Sequence, residues 1–83
     1  MPFYVYVLES SITGQYYKGQ AVDVDARLQE HNSGKTKSTR SQAGSWKVVY
    51  TEEHSTREEA LDRERYLKSA AGRRFLKKIL SSE

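Results

Sequence analysis

Phe3-Tyr4-Val5-Tyr6-Val7-Leu8 is followed by Ser10-Ser11-Ile12-Thr13-Gly14 and then by Gln15-Tyr16-Tyr17-Lys18-Gly19. The first run is aromatic and β-branched with no polar alternation, the pattern of a strand covered on both faces. Turn chemistry and a second strand-like run come next, which predicts an antiparallel hairpin joined by a five-residue turn. This hairpin decides the fold class, because whatever follows must cover a sheet on both sides. Downstream, Asp23 is placed to cap a helix that stops at Asn32-Ser33-Gly34. On it, Val24 and Leu28 share one face, and Asp23, Arg27 and His31 another. Residues 33–45 lack periodicity and are expected to form a loop, and Trp46-Lys47-Val48-Val49-Tyr50-Thr51 reads as a third strand. Thr56 and Glu59 form a capping box that opens a helix running to about Ala70, where Gly72 interrupts. Phe75, Leu76, Ile79 and Leu80 lay an apolar stripe on a short terminal helix. The order β-β-α-β-α-α predicts an α+β fold, a three-stranded antiparallel sheet flanked by helices, with residues 1–83 as one domain.

Composition narrows the function. The 83 residues carry 14 Lys+Arg against 11 Asp+Glu, a formal charge of +3. That excess is too small for a histone-like arm and fits a domain with one locally basic face. The absence of cysteine excludes a disulfide scaffold, a thiolate zinc site and a cysteine nucleophile, and agrees with a reducing compartment. The longest apolar run, Phe3 to Leu8, is far short of the roughly 20 residues of a membrane span. Strand-like sequence begins directly after Met1-Pro2, leaving no space for a cleavable leader. A soluble, cytoplasmic, monomeric domain is therefore expected. So small a domain buries only about 60–65% of its unfolded surface. A polar residue on a core stripe is then costly, and such residues are where function is sought.

Three features stand out on that criterion. Ala60, Leu61, Leu67 and Ala71 trace a core stripe, and Glu64 falls in its middle. A buried carboxylate needs an Arg, a Lys or a metal opposite it, and a structural ion pair with Arg27 would suffice. Tyr6 and Tyr17 lie on paired strands and can point to the same side, although an aromatic core with hydroxyls at its rim would look alike. Arg27 and His31 share a helix face. Arg27 is a ready phosphate ligand and His31 a proton carrier near neutral pH, or both are simply solvated.

Taken together, these elements resemble the GIY-YIG nuclease superfamily, found in intron-encoded homing endonucleases and at the N-terminus of the excision-repair subunit UvrC. Tyr4-Val5-Tyr6 and Tyr17-Lys18-Gly19 match the two name-giving triplets. Arg27-Leu28-Gln29-Glu30-His31-Asn32-Ser33-Gly34 resembles the R-x-x-x-H-N-x-G stretch of small stand-alone members. Glu59-Ala60-Leu61-Asp62-Arg63-Glu64 resembles the segment that carries the metal-binding glutamate. The resemblance implies a phosphodiesterase using one divalent ion, Mg²⁺ or Mn²⁺, held by Glu64. It implies Tyr6 and Tyr17 as the proton-accepting and relaying pair, with Tyr6 the first candidate for the base. Arg27 would stabilise the pentacovalent phosphate, and His31 would complete the set. There are departures: Tyr4 replaces the first glycine, Lys18 an aliphatic residue, and Gln20 the lysine of the repair nucleases. No asparagine follows Glu64, and Leu76 lies near the place where several relatives carry one.

Two cationic segments could meet nucleic acid. Lys35, Lys37, Arg40 and Lys47 alternate with small polar residues, as in a loop that touches phosphates without reading bases. Residues 63–78 hold Arg63, Arg65, Lys68, Arg73, Arg74, Lys77 and Lys78 against the single acidic Glu64. The expected partner is DNA, with RNA a second candidate, bound non-specifically and with steep salt dependence. Weakly sequence-specific or structure-selective endonuclease activity in repair or recombination, aided by a targeting protein, is one expectation. A non-catalytic nucleic-acid-binding or interaction module on the same scaffold is the other.

Overall fold

The computed structural model describes residues 1–81. β1 (Phe3–Ser10) is the central strand of an antiparallel sheet, flanked by β2 (Tyr16–Ala21) and β3 (Trp46–His54). α1 (Val24–Asn32) lies between β2 and β3 in the chain, and α2 (Arg57–Lys68) and α3 (Ala70–Leu80) follow β3. The predicted hairpin pairs with Tyr6 opposite Gly19 and Leu8 opposite Tyr17. Each strand extends a few residues beyond its predicted end because backbone pairing continues past the apolar run.

Alternation along β1 divides the interior in two. Val5 and Val7 face α2 and α3, packing with Ala60, Leu67 and Leu76. Tyr6 and Leu8 face the other side, against Trp46 and the half-buried Tyr17, Val24 and Leu28. No residue of β1 from Val5 to Leu8 exceeds 1% exposure, in keeping with the all-apolar reading of that strand.

Local signals set the helix ends. The Asp23 side chain accepts from Ala26 N at 3.0 Å, and Thr56 accepts from Glu59 N at 3.1 Å. The expected break near Gly72 falls elsewhere. Ser69 ends α2 and also caps α3, its hydroxyl accepting from Gly72 N at 3.2 Å. Gly72 is instead buried inside α3 as a point of close approach, since a Cβ there would sit 1.9 Å from the Tyr66 carbonyl oxygen. Ala71, expected in the core stripe, is exposed for the same reason: α3 begins one residue before it and turns it outward. Arg63 joins α2 to β3 by donating from Nε to both Glu52 oxygens at 2.9 and 3.0 Å. Burial alone would raise the Glu52 pKa. Hydrogen bonds from Arg63, Tyr50 and His54 outweigh it and hold the carboxyl below its ordinary range.

The segment expected to be a featureless loop contains a 3-10 turn over Lys37–Gln42. Its stability is tertiary. Trp46 Nε1 donates to the Thr39 carbonyl at 3.1 Å, and Asn32 Nδ2 donates to the Trp46 carbonyl at 3.0 Å. Asn32 Oδ1 accepts from the backbone of Gly44 and Trp46 at 3.0 and 2.9 Å. The side chain of Asn32 is thereby committed to clamping the 3-10 segment onto the start of β3.

Candidate active site

Tyr6 rises from the middle of β1 toward α1 and is 1% exposed. Room for its ring comes from Gly19, its partner in register: a Cβ at that position would lie 2.7 Å from the Tyr6 hydroxyl. The glycine of the second triplet is required by this contact. Tyr17, two residues before Gly19, emerges on the same side, with its ring 6.3 Å from that of Tyr6.

α1 brings the cationic and imidazole groups to the same place. Arg27 and His31 are one helical turn apart, so both face the sheet. His31 is fully buried, its ring 4.6 Å from the Tyr17 ring and its Nε2 3.0 Å from the Tyr6 hydroxyl. On its far side, Nδ1 lies 2.8 Å from Thr39 Oγ1. The Thr39 hydroxyl in turn donates to the Thr36 carbonyl at 3.4 Å. That direction fixes the rest of the line. His31 Nδ1–H donates to Thr39, which leaves Nε2 to accept from the Tyr6 hydroxyl. Burial, reinforced by the charge of Arg27 and opposed by Glu30, lowers the His31 pKa and keeps the ring neutral at pH 7. Burial also raises the Tyr6 pKa, against the hydrogen bond donated by Arg27, so Tyr6 is a phenol at rest.

Glu64 departs from the expectation in its partner. Its side chain is 19% exposed and accepts from Lys68 Nζ at 2.8 Å. Arg27 does not reach it and pairs with Glu30 on its own helix while hydrogen-bonding Tyr6. The ion pair expected between Arg27 and Glu64 is therefore not formed, because each finds a closer partner one helical turn away. Glu64 still acts on Tyr6 through space, its negative charge disfavouring a phenolate there. Tyr6, Tyr17, Arg27 and His31 form one cluster, on which Glu64 of α2 acts through its charge.

Thr39 was missed by sequence reading. It lies among the small polar residues between Lys37 and Lys47, and nothing local marks it as buried. Of the candidate nucleic-acid contacts, Lys35, Lys37 and Arg40 are exposed after α1, with Arg40 Nε held on the Gly34 carbonyl at 3.1 Å. Lys68, Arg73 and Arg74 are exposed on the α2–α3 side. Among the seven cations of residues 63–78, Arg63, Arg65 and Lys68 are paired with Glu52, Asp62 and Glu64.

The donor chemistry at Glu64 suits a hard divalent cation. Mg²⁺ is commonly held by one or two carboxylates with water and substrate phosphate completing its shell. A single carboxylate that solvent can reach meets that requirement. Among the described residues no group of three His, Cys, Asp or Glu side chains could enclose an ion unaided. Nor is any described helix long and apolar enough to cross a membrane.

The three-stranded sheet carries paired tyrosines on one face, opposed by Arg and His from the following helix. The profile of the GIY-YIG catalytic domain matches residues 2–78, and the chain belongs to the GIY-YIG family. It is similar to a UPF0213 protein of Staphylococcus epidermidis, 36% identical over 76 residues that cover 92% of each chain. A UPF0213 protein of Streptococcus agalactiae is 41% identical over 69 residues, covering 82% of this chain and 76% of the relative. The solution NMR structure of a UPF0213 protein from Bacillus halodurans superposes with a TM-score of 0.56 at 36% identity. That likeness covers 95% of this chain and 85% of the other, and includes the antiparallel sheet with its helices.

Proposed function

We propose that this domain hydrolyses phosphodiester bonds in DNA with the help of one divalent ion at Glu64. The observation that carries the reading is the line Tyr6–His31–Thr39, buried beside a guanidinium in a fold of the GIY-YIG family. A phenol with a raised pKa is a poor base by itself. Here it need not ionise. The Tyr6 oxygen takes a proton from the attacking water as its own proton passes to His31 Nε2, and Thr39 steadies the imidazolium through Nδ1–H. The water oxygen forms the new bond to phosphorus and the bond to the leaving oxygen breaks. Arg27, already oriented on Tyr6, stabilises charge on the phosphoryl oxygens. The Tyr17 ring packs on His31 and limits its rotation. Mg²⁺ or Mn²⁺, bound through Glu64, would supply polarisation of a phosphate oxygen and stabilisation of the leaving group. The exposed cations after α1 and on α3 give non-specific, salt-dependent affinity.

The test is nicking of single-stranded, duplex and branched DNA at low salt with Mg²⁺ or Mn²⁺. Wild type cuts at least one of them, EDTA stops it, and Glu64→Gln or Arg27→Ala abolishes cutting without unfolding the domain. A wild type that cuts none contradicts the reading. Binding that persists in EDTA and in Glu64→Gln, with no cutting under any condition, identifies a binding module instead.

A further inference from the structure

Alternation along β2 sends Tyr16 and Lys18 to the side opposite Tyr17, toward α3. There, with Arg73, Leu76, Lys77 and Ser81, they line a cavity of about 450 Å³. One part of its lining is aromatic and apolar. Tyr16 is 41% exposed, a large ring open to solvent at the start of an edge strand, and the buried Leu76 lines the same cavity. The other part is cationic. Lys18, Arg73 and Lys77 have no carboxylate within ion-pair distance among the described residues. Arg73 also donates to the Lys68 carbonyl at 2.7 Å, which fixes its side chain in place. Burial, followed by the charges of Arg73 and Lys68, lowers the pKa of Lys18.

An open aromatic ring among unpaired cations is complementary to a flat base that carries phosphate. We propose that this cavity receives one splayed-out nucleotide of the bound strand, its base stacked on Tyr16 and its phosphates on Lys18, Arg73 and Lys77. The proposal rests on the nuclease reading for its substrate class. Tyr17 and Lys18 are consecutive on the edge strand, so a nucleic-acid strand crossing that edge meets the catalytic cluster on one face and the cavity on the other. Intact duplex would have to unpair to fill the cavity, at a cost of the kind seen in base flipping. Unpaired segments are therefore favoured.

Fluorescence anisotropy in EDTA, with a labelled oligothymidylate and a blunt duplex, measures binding without cutting. Tyr16→Ala weakens oligothymidylate binding about tenfold, in line with the loss of one stacked base. Tyr16→Phe, which keeps the ring, stays within about twofold, and Tyr16→Ala leaves the duplex within the same margin. Arg73→Ala/Lys77→Ala lowers the salt slope for the single strand by about 1.4, at about 0.7 per phosphate contact. Thermal melts followed by circular dichroism confirm that these surface variants fold. The proposal is overturned if Tyr16→Ala binds oligothymidylate like wild type, or loses single strand and duplex equally. Displacement of the oligonucleotide from wild type, but not from Tyr16→Ala, by an acidic peptide with an apolar anchor supports the pocket. Retention of that peptide with no oligonucleotide binding at all overturns the nucleotide assignment. If no cutting is ever found while the Tyr16 dependence holds, the nuclease reading fails and the pocket stands.

Discussion

The two faces of β1 are built on opposite rules. Val5 and Val7 enter a core of Ala60, Leu67 and Leu76 in which the buried contacts are apolar, with the Arg63–Glu52 ion pair at its margin. Tyr6, one residue away, enters a region where His31, Thr39 and Ser10 are as buried as Val5 and Val7 and are joined by side-chain hydrogen bonds among apolar neighbours such as Leu8 and Trp46. A domain of this size has little stability to spare. The polar face is kept by hydrogen bonds that link Tyr6, His31 and Thr39 in one line. The apolar face holds the sheet to α2 and α3, and the polar face carries the line of groups on which the proposed chemistry depends.

Substitutions on the two faces should separate stability from activity. The largest change in stability is expected on the apolar face. Leu67→Ala removes a fully buried side chain and lowers the unfolding free energy by about 2–5 kcal/mol. Urea denaturation measures it, and a loss below about 1 kcal/mol would mean that α2 contributes less to the core than its burial indicates. On the polar face, Thr39→Val keeps the shape but leaves His31 Nδ1–H without its acceptor, costing about 1–3 kcal/mol. Cutting falls as well, because the tautomer that accepts from Tyr6 is no longer favoured. A Thr39→Val protein with unchanged melting and unchanged cutting would break the contrast between the faces.

The smallest effect is a pH dependence. The folded pKa of His31 lies below its unfolded value of about 6.5, so the unfolded chain binds more protons just under that pH. The stability contributed by neutral His31 is complete above about pH 6.5 and is lost as pH falls from there through the folded pKa. Thermal melts between pH 5 and 7.5 should show this slope, flattened in His31→Gln. The imidazole signals of His31 in an NMR titration should have a midpoint below that of a free histidine, and the acid limb of the cutting rate should follow it.

Much of this arrangement was readable from local sequence. The unbroken apolar run of β1 announced two covered faces, the period of two placed Tyr6 and Tyr17 on one side, and Asp23 and Thr56 marked helix starts that the hydrogen bonds bear out. What escaped depends on groups distant in the chain. Thr39 is buried because Trp46 and Asn32 pull the 3-10 turn inward, and no pattern within residues 33–45 carries that information. Gly72 looked like a stop signal by propensity, yet its missing side chain is what lets α3 approach the end of α2. Glu64 lies on a stripe that the sequence carries to Ala71, but Ala71 is exposed and the Glu64 side chain keeps part of its surface in solvent. Lys68, four residues on, was the partner available at helical spacing all along.

The central claim is that the proton line through Tyr6 and His31 serves metal-dependent cleavage of DNA. Single-turnover cleavage in Mn²⁺ by wild type and by Tyr6→Phe, with melting of both proteins recorded alongside, tests it most directly. Removing one hydroxyl while keeping the ring should slow cutting by about 10²–10⁴-fold with the domain still folded. Cutting by Tyr6→Phe at the wild-type rate would contradict the account.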